Sequence, residues 1–263
     1  RDMTVAAVRN LRVDVHHPES TVMRRFGIGG MDGFASAVYG LTKMAILLDD
    51  STFLADAAAA ARGITPQRIA ADRRLDILGG AAGAILGLLA LQRTAPNDEW
   101  IATAKACGDH LLANRTAGED GLRAWVTLEG TRLIGFLHGS AGIGMALIKL
   151  YEVTGEAKYL EAALEAIAYE RTKFNAEAKN FPDLRPSQQP PDGRPFFIDN
   201  YCHGSAGIAL ARLVSLTVVD DPEAALLEID ACLTAASQPA LAERFDFLCC
   251  GCRQRYVLYV SLV

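Results

Sequence analysis

The motif Gly-x-x-Gly recurs along this chain and takes its surroundings with it. Gly30-Met31-Asp32-Gly33, Gly80-Ala81-Ala82-Gly83, Gly139-Ser140-Ala141-Gly142 and Gly204-Ser205-Ala206-Gly207 share it, and Cys249-Cys250-Gly251 supplies a fifth start. Spacings of roughly 45 to 65 residues mark stacked copies of one supersecondary unit. The unit reads most clearly from Gly139. "GSAGIGMALIKLYEVTG" carries apolar residues at helical spacing, and Gly155 is placed to close the helix. "EAKYLEAALEAIAYERTKF" follows as a second helix with one apolar face.

Each copy is therefore a helical hairpin. Its first helix is almost wholly apolar and belongs inside; its second carries the charges and belongs outside. Inner helices ringed by outer ones describe an all-α fold, an incomplete α/α toroid (barrel) of helical hairpin repeats. Glycines at the inner starts let helices approach closely and keep the first N–H groups accessible.

Composition agrees with a single domain over residues 1–263, since 51% of residues are hydrophobic and 22% charged. That supports a large core and argues against disorder. The net charge of −5 comes from well-mixed acids and bases, without a basic run, so nucleic acid is not an expected partner. The longest uncharged stretches, 77–92 and 133–148, fall short of the roughly 20 residues a membrane span needs. They read as buried helices. No signal peptide is visible and the first residue is Arg, so the sequence reads as a piece of a longer chain. The stretch 175–200 is rich in proline and has no period. A loop of that length is either functional or a surface excursion.

Cysteines stand at 107, 202, 232, 249, 250 and 252. Adjacent cysteines are badly placed to bridge each other. The pattern points to a reducing cytoplasm, with cysteines that bind metal or react. Cys107 and Cys232 lie inside helical segments and read as core. Aligned on the first glycine, the two preceding positions are Ile28-Gly29, Leu78-Gly79, Leu137-His138, Cys202-His203 and Cys249-Cys250. The reactive residues thus share one structural column. Cys202, Cys249 and Cys250 make a plausible zinc set, because three protein ligands with an open fourth position is the catalytic arrangement. His138, at a helix start, is a candidate general acid or base, or a satisfied core histidine. His203 is a metal ligand or a cavity-wall residue. Asp76 is an N-cap or a group that orients a histidine. His16, His17 and His110 read as surface positions.

These residues resemble a family. "FGIGGMDGFASAVYGL", "LDILGGAAG", "LHGSAG", "NFPDLR", "YCHGSAGIALARL" and "LCCG" are similar, in kind and order, to the lanthionine cyclase (LanC-like) family. The double cysteine is most like the C-terminal cyclase domain of class II lanthipeptide synthetases. The resemblance implies a zinc-dependent peptide cyclase that adds precursor-peptide cysteine thiols to dehydroalanine or dehydrobutyrine, closing (methyl)lanthionine thioether rings. It puts Cys202, Cys249 and Cys250 in the zinc-ligand places, His138 in the acid/base place and Asp76 near it. It implies a dehydrated precursor peptide, leader and core, as substrate, and an upstream dehydratase domain as partner. Residues 252–263 depart from the family pattern. Two other readings stay open: a peptide-binding scaffold of the same family without a competent zinc site, and a glycoside hydrolase with paired carboxylates on the same architecture.

Overall fold

The computed structural model describes residues 5–6, 8–17 and 19–236. They form two compact units. One runs through Ala113 and takes in Glu152–Thr154; the other comprises Asn114–Tyr151 and the residues from Gly155 on.

The first unit contains α1 (Arg9–Asp14), α2 (Phe34–Leu48), α3 (Thr52–Arg62), α4 (Pro66–Ala71), α5 (Ala81–Thr94) and α6 (Asp98–Ala113). The apolar helices α2 and α5 pack on each other, α3 backs α2, and α6 backs α5. Phe34, Val38 and Leu41 of α2 and Ile85, Leu88 and Leu91 of α5 are buried. Buried Asp72 ties the start of α5 together: its carboxylate accepts the N–H groups of Ala81 at 2.9 Å and Arg74 at 2.9 Å. His110 is not a surface residue as expected. Its ring is 3.1 Å from the Asp72 carbonyl, with the side chain 12% exposed.

The second unit holds the two-stranded ribbon of β1 (Thr116–Ala117) and β2 (Arg123–Ala124), then α7 (Ser140–Thr154) up to Tyr151, α8 (Ala157–Arg171), α9 (Ser205–Ser215) and α10 (Pro222–Ala236). The α7–α8 hairpin is the one read from the sequence, and Gly155 closes α7 in the left-handed conformation at φ 69°. Glu165 of α8 holds the ribbon through Arg115 and Arg123. Cys107 and Cys232 are core residues, with burial pushing the Cys232 thiol up to about 12.

The Gly-x-x-Gly copies do start the inner helices. In three, the first glycine is the N-cap: Gly80 for α5, Gly139 for α7 and Gly204 for α9. In the first copy it is the second glycine, Gly33, that caps α2. The loop ahead of the helix folds back tightly. A Cβ on Gly33 would lie 2.4 Å from Gly29 N, and one on Gly139 would lie 2.5 Å from Gly135 N. The structural column before the cap is therefore Met31-Asp32, Leu78-Gly79, Leu137-His138 and Cys202-His203, which corrects Ile28-Gly29 for the first copy.

One polar cluster lies inside the second unit. Arg212, 1% exposed on α9, meets Glu170 of α8 at 2.7 Å and Glu228 of α10 at 2.5 Å. Glu170 is wholly buried. Burial pushes its carboxyl above the usual range, against the pull of Arg212.

Candidate active site

The two loops that precede α7 and α9 meet backbone to backbone. Leu137 N–H donates to the Cys202 carbonyl at 3.2 Å. Gly135 makes this approach possible, because a Cβ there would lie 2.3 Å from the Cys202 oxygen and 2.5 Å from His203 Cα. Gly135→Ala should therefore force the loops apart and cost about 1–3 kcal/mol. A urea unfolding curve with an unmoved midpoint would contradict this.

The contact stacks His138 on His203, with ring centroids 5.0 Å apart and planes within 17°. Both histidines and Cys202 are buried. Behind them Phe136 packs on Tyr201 at 4.7 Å. The Thr127 hydroxyl donates to the His138 carbonyl. The His203 N–H donates to Asn200 Oδ1 at 2.8 Å, fixing the turn that carries Cys202 and His203.

The proline-rich loop 175–200 is tied by its own hydrogen bonds, and its Asp183 and Arg185 act electrostatically on His203. Asn180 Nδ2 donates to Asp199 Oδ1 at 2.8 Å, and Asp183 N–H donates to the Phe196 carbonyl at 2.8 Å. Asp183, 1% exposed, takes a fork of hydrogen bonds from Arg185, Nε at 3.0 Å and Nη2 at 2.5 Å. Further on, Ser187 donates to Glu129 through its N–H at 3.0 Å and its hydroxyl at 2.7 Å. Those bonds hold the Glu129 carboxyl below the usual range. Glu129 sits at φ 56°, ψ 23°, a left-handed conformation uncommon for a residue with a side chain. His203 is pushed down to about 4, first by burial, then by the Arg185 guanidinium, against the pull of Asp183. It is neutral at pH 7.

The structure thus brings His138, His203 and Cys202 together. Asp76 lies in the first unit, where its Oδ1 accepts the Gly79 N–H at 2.8 Å and its carbonyl accepts the Gly80 N–H at 3.1 Å. Asn200 makes the same pair of bonds before Gly204, so this turn recurs between repeats and needs only an Asx side chain. Cys249 and Cys250 lie outside the described residues. Among the described residues no group of three or more His, Cys, Asp or Glu is placed to hold a metal ion. Sequence reasoning left the Asp183–Arg185 pair and the Glu129–Ser187 bonds unassigned. The "NFPDLR" segment was the signal for the first; the second joins residues 58 apart and had none.

Residues 7–253 match the family model described as lanthionine synthetase C-like protein. The chain belongs to that family. No curated protein matches its sequence. Among solved structures, the LanC-like chain is similar to nisin cyclase, with 14% identity, TM-score 0.55 and 97% of this chain and 81% of that one covered. It is also similar to a sugar epimerase from a ruminal bacterium, with 13% identity, TM-score 0.53 and 80% and 61% covered. A family 76 glycoside hydrolase from a bovine Bacteroides thetaiotaomicron strain gives 14% identity, TM-score 0.53 and 88% and 57% covered. The chain therefore spans under two thirds of the epimerase and of the hydrolase. These likenesses show the fold alone: all-α, of the α/α-toroid class. Among the described residues no helix is long and apolar enough to cross a membrane.

Proposed function

We propose that this chain is a zinc-dependent cyclase that adds cysteine thiols of a dehydrated precursor peptide to dehydroalanine or dehydrobutyrine, forming thioether rings. The observation that carries the reading is the placement of His138 against His203 and Cys202 at the matched starts of α7 and α9. Membership of the LanC-like family supports a peptide substrate. An upstream dehydratase domain and a cytoplasmic setting belong to the same reading.

The donor chemistry fits zinc. Cys202 is buried two residues before the N-cap of α9, and a zinc ion would take its sulfur as the thiolate. Cys249 and Cys250 would complete the set by their place in the repeat pattern. Zinc held by three thiolates would keep the substrate thiol ionised at neutral pH.

The remaining work falls to the chain's own groups. In this reading His138, buried and stacked on His203, delivers a proton to the substrate α-carbon. Neutral His203 sets no competing charge beside it. Asp76, if it acts, orients or tunes. The glycoside-hydrolase reading has less support, because Asp183 and Glu129, the carboxylates that act on His203, are engaged by Arg185 and Ser187. A scaffold without zinc remains the outcome if metal does not bind.

The test uses zinc-supplemented protein and a synthetic peptide carrying dehydroalanine and one cysteine. Loss of free thiol should exceed the protein-free rate, with one zinc per chain by atomic spectroscopy. Cys202→Ala should lose both zinc and catalysis. Zinc retained in that variant, with an unchanged rate, would overturn the ligand assignment.

A further inference from the structure

Loop 175–200 carries Arg185, whose guanidinium is near enough to push the His203 pKa down, and hydrogen bonds tie this part of the loop to the segment that grips the His138 backbone. Thr127 grips the His138 carbonyl, and two residues later Glu129 takes both bonds from Ser187. Arg185 lies two residues before Ser187, in the segment this clasp holds down. Its Nε and Nη2 are occupied by buried Asp183. Among the described residues its Nη1 makes no hydrogen bond, and the side chain as a whole keeps 17% exposure. Glu129 at the clasp is held in the left-handed region, uncommon for a residue with a side chain. The two Ser187 bonds hold that conformation in place.

We propose that Arg185 is a catalytic residue, whose guanidinium binds the carbonyl oxygen of the dehydrated residue and holds the charge that oxygen gains as the thiolate adds. This rests on the cyclase reading above. The thiolate sulfur bonds to the β-carbon, and the carbon–carbon π pair moves toward the α-carbon and the carbonyl oxygen as an enolate. The α-carbon then takes a proton and the carbonyl re-forms. The sum is S–H across C=C, with no oxidant or reductant. Preorganised donors aimed at the developing oxyanion act on this kind of step, and removing one costs about 10²–10³ in rate. The Asp183 fork makes the donor rigid without cancelling it, since the unbonded edge of a planar guanidinium can still bind an oxygen.

Two measurements test this. In the first, Arg185→Met and Arg185→Lys are assayed with the dehydroalanine–cysteine peptide at saturating zinc. Both should lower kcat by about 10²–10³-fold with KM changed little. Arg185→Met also leaves Asp183 buried without its cation and should melt below wild type, whereas Arg185→Lys keeps the pair, so rates are compared at a temperature where both variants are folded. Lysine can still pair with Asp183 but lacks the second donor edge, so it guards against misfolding of the methionine variant. The second measurement needs no catalysis. Peptides ending at the alanine equivalent of the dehydrated residue are compared as free carboxylate and as amide, by calorimetry. The carboxylate puts an anion where the enolate oxygen forms, and wild-type protein should prefer it by about tenfold or more. The preference should vanish in Arg185→Met. Catalysis that survives both substitutions, or a carboxylate preference that is absent or survives Arg185→Met, overturns the assignment. A preference lost in Arg185→Met, in a wild-type protein that does not cyclise, would keep the anion site and remove the cyclase reading instead.

Discussion

Arg212→Met is expected to destabilise the protein by about 3–5 kcal/mol, because it leaves Glu170 buried without its cation. Arg212 Nη2 stands 2.7 Å from Glu170 Oε2, but not in good hydrogen-bond alignment, so the attraction is mostly between charges. Glu228 and Arg171, in contact at 2.5 Å, are nearer solvent and can rearrange; Glu170 cannot. For a chain of this size the melting temperature should fall by roughly 10 °C. The pH dependence has a definite sign. With Arg212 gone, the folded-state pKa of Glu170 stands further above its unfolded value. The penalty is then fully present above the folded pKa and disappears as pH falls below the unfolded value of about 4.3. The gap between variant and wild type should narrow as pH falls toward 4, and adding Glu170→Gln should recover part of the loss at pH 7. A gap independent of pH would mean that packing, not buried charge, sets the cost.

His138→Asn is expected to slow ring closure by about 10²–10⁴-fold while zinc stays bound. Asparagine keeps a polar group of similar reach but cannot deliver a proton, and His138 is not among the proposed ligands. Asp76→Asn separates two roles. The turn at Asp76 needs only a side-chain oxygen to accept the Gly79 N–H, and asparagine supplies it, as Asn200 does before His203. Unchanged kinetics in Asp76→Asn would assign Asp76 to the turn. A rate loss with the fold intact would assign it to tuning the acid. His138→Asn with full zinc and wild-type kcat would return His138 to the role of a packed core histidine.

The parts of this molecule that were legible in its sequence are those written in local periodicity. The inner helices announce themselves because an apolar 3.6-residue pattern follows each Gly-x-x-Gly, and the small residues are dictated by backbone approach at Gly33 and Gly139. The first copy was read three residues early because both Gly30 and Gly33 are packed tightly, and only the fold of the loop distinguishes the cap. His138 and His203 share a column in the alignment, but their stacking depends on the Leu137–Cys202 bond between loops distant in sequence. His110 looked like a surface residue because nothing local shows that Asp72 folds back to the start of α5 and meets it. Arg212 did carry a sequence signal, a lone cation on an otherwise apolar helix, with its partners on the flanking helices.

The measurement that most directly tests the central claim is the configuration of the new α-carbon. A dehydroalanine–cysteine peptide is cyclised in D₂O with zinc-loaded protein, and the ring residues are resolved on a chiral column. A protein acid fixed on one side of the substrate must deliver deuterium to one face. The account predicts one configuration in large excess, one deuterium at that carbon, and a rate above the protein-free reaction. A product with the same mixture of configurations and the same rate as without protein, at one zinc per chain, would contradict it.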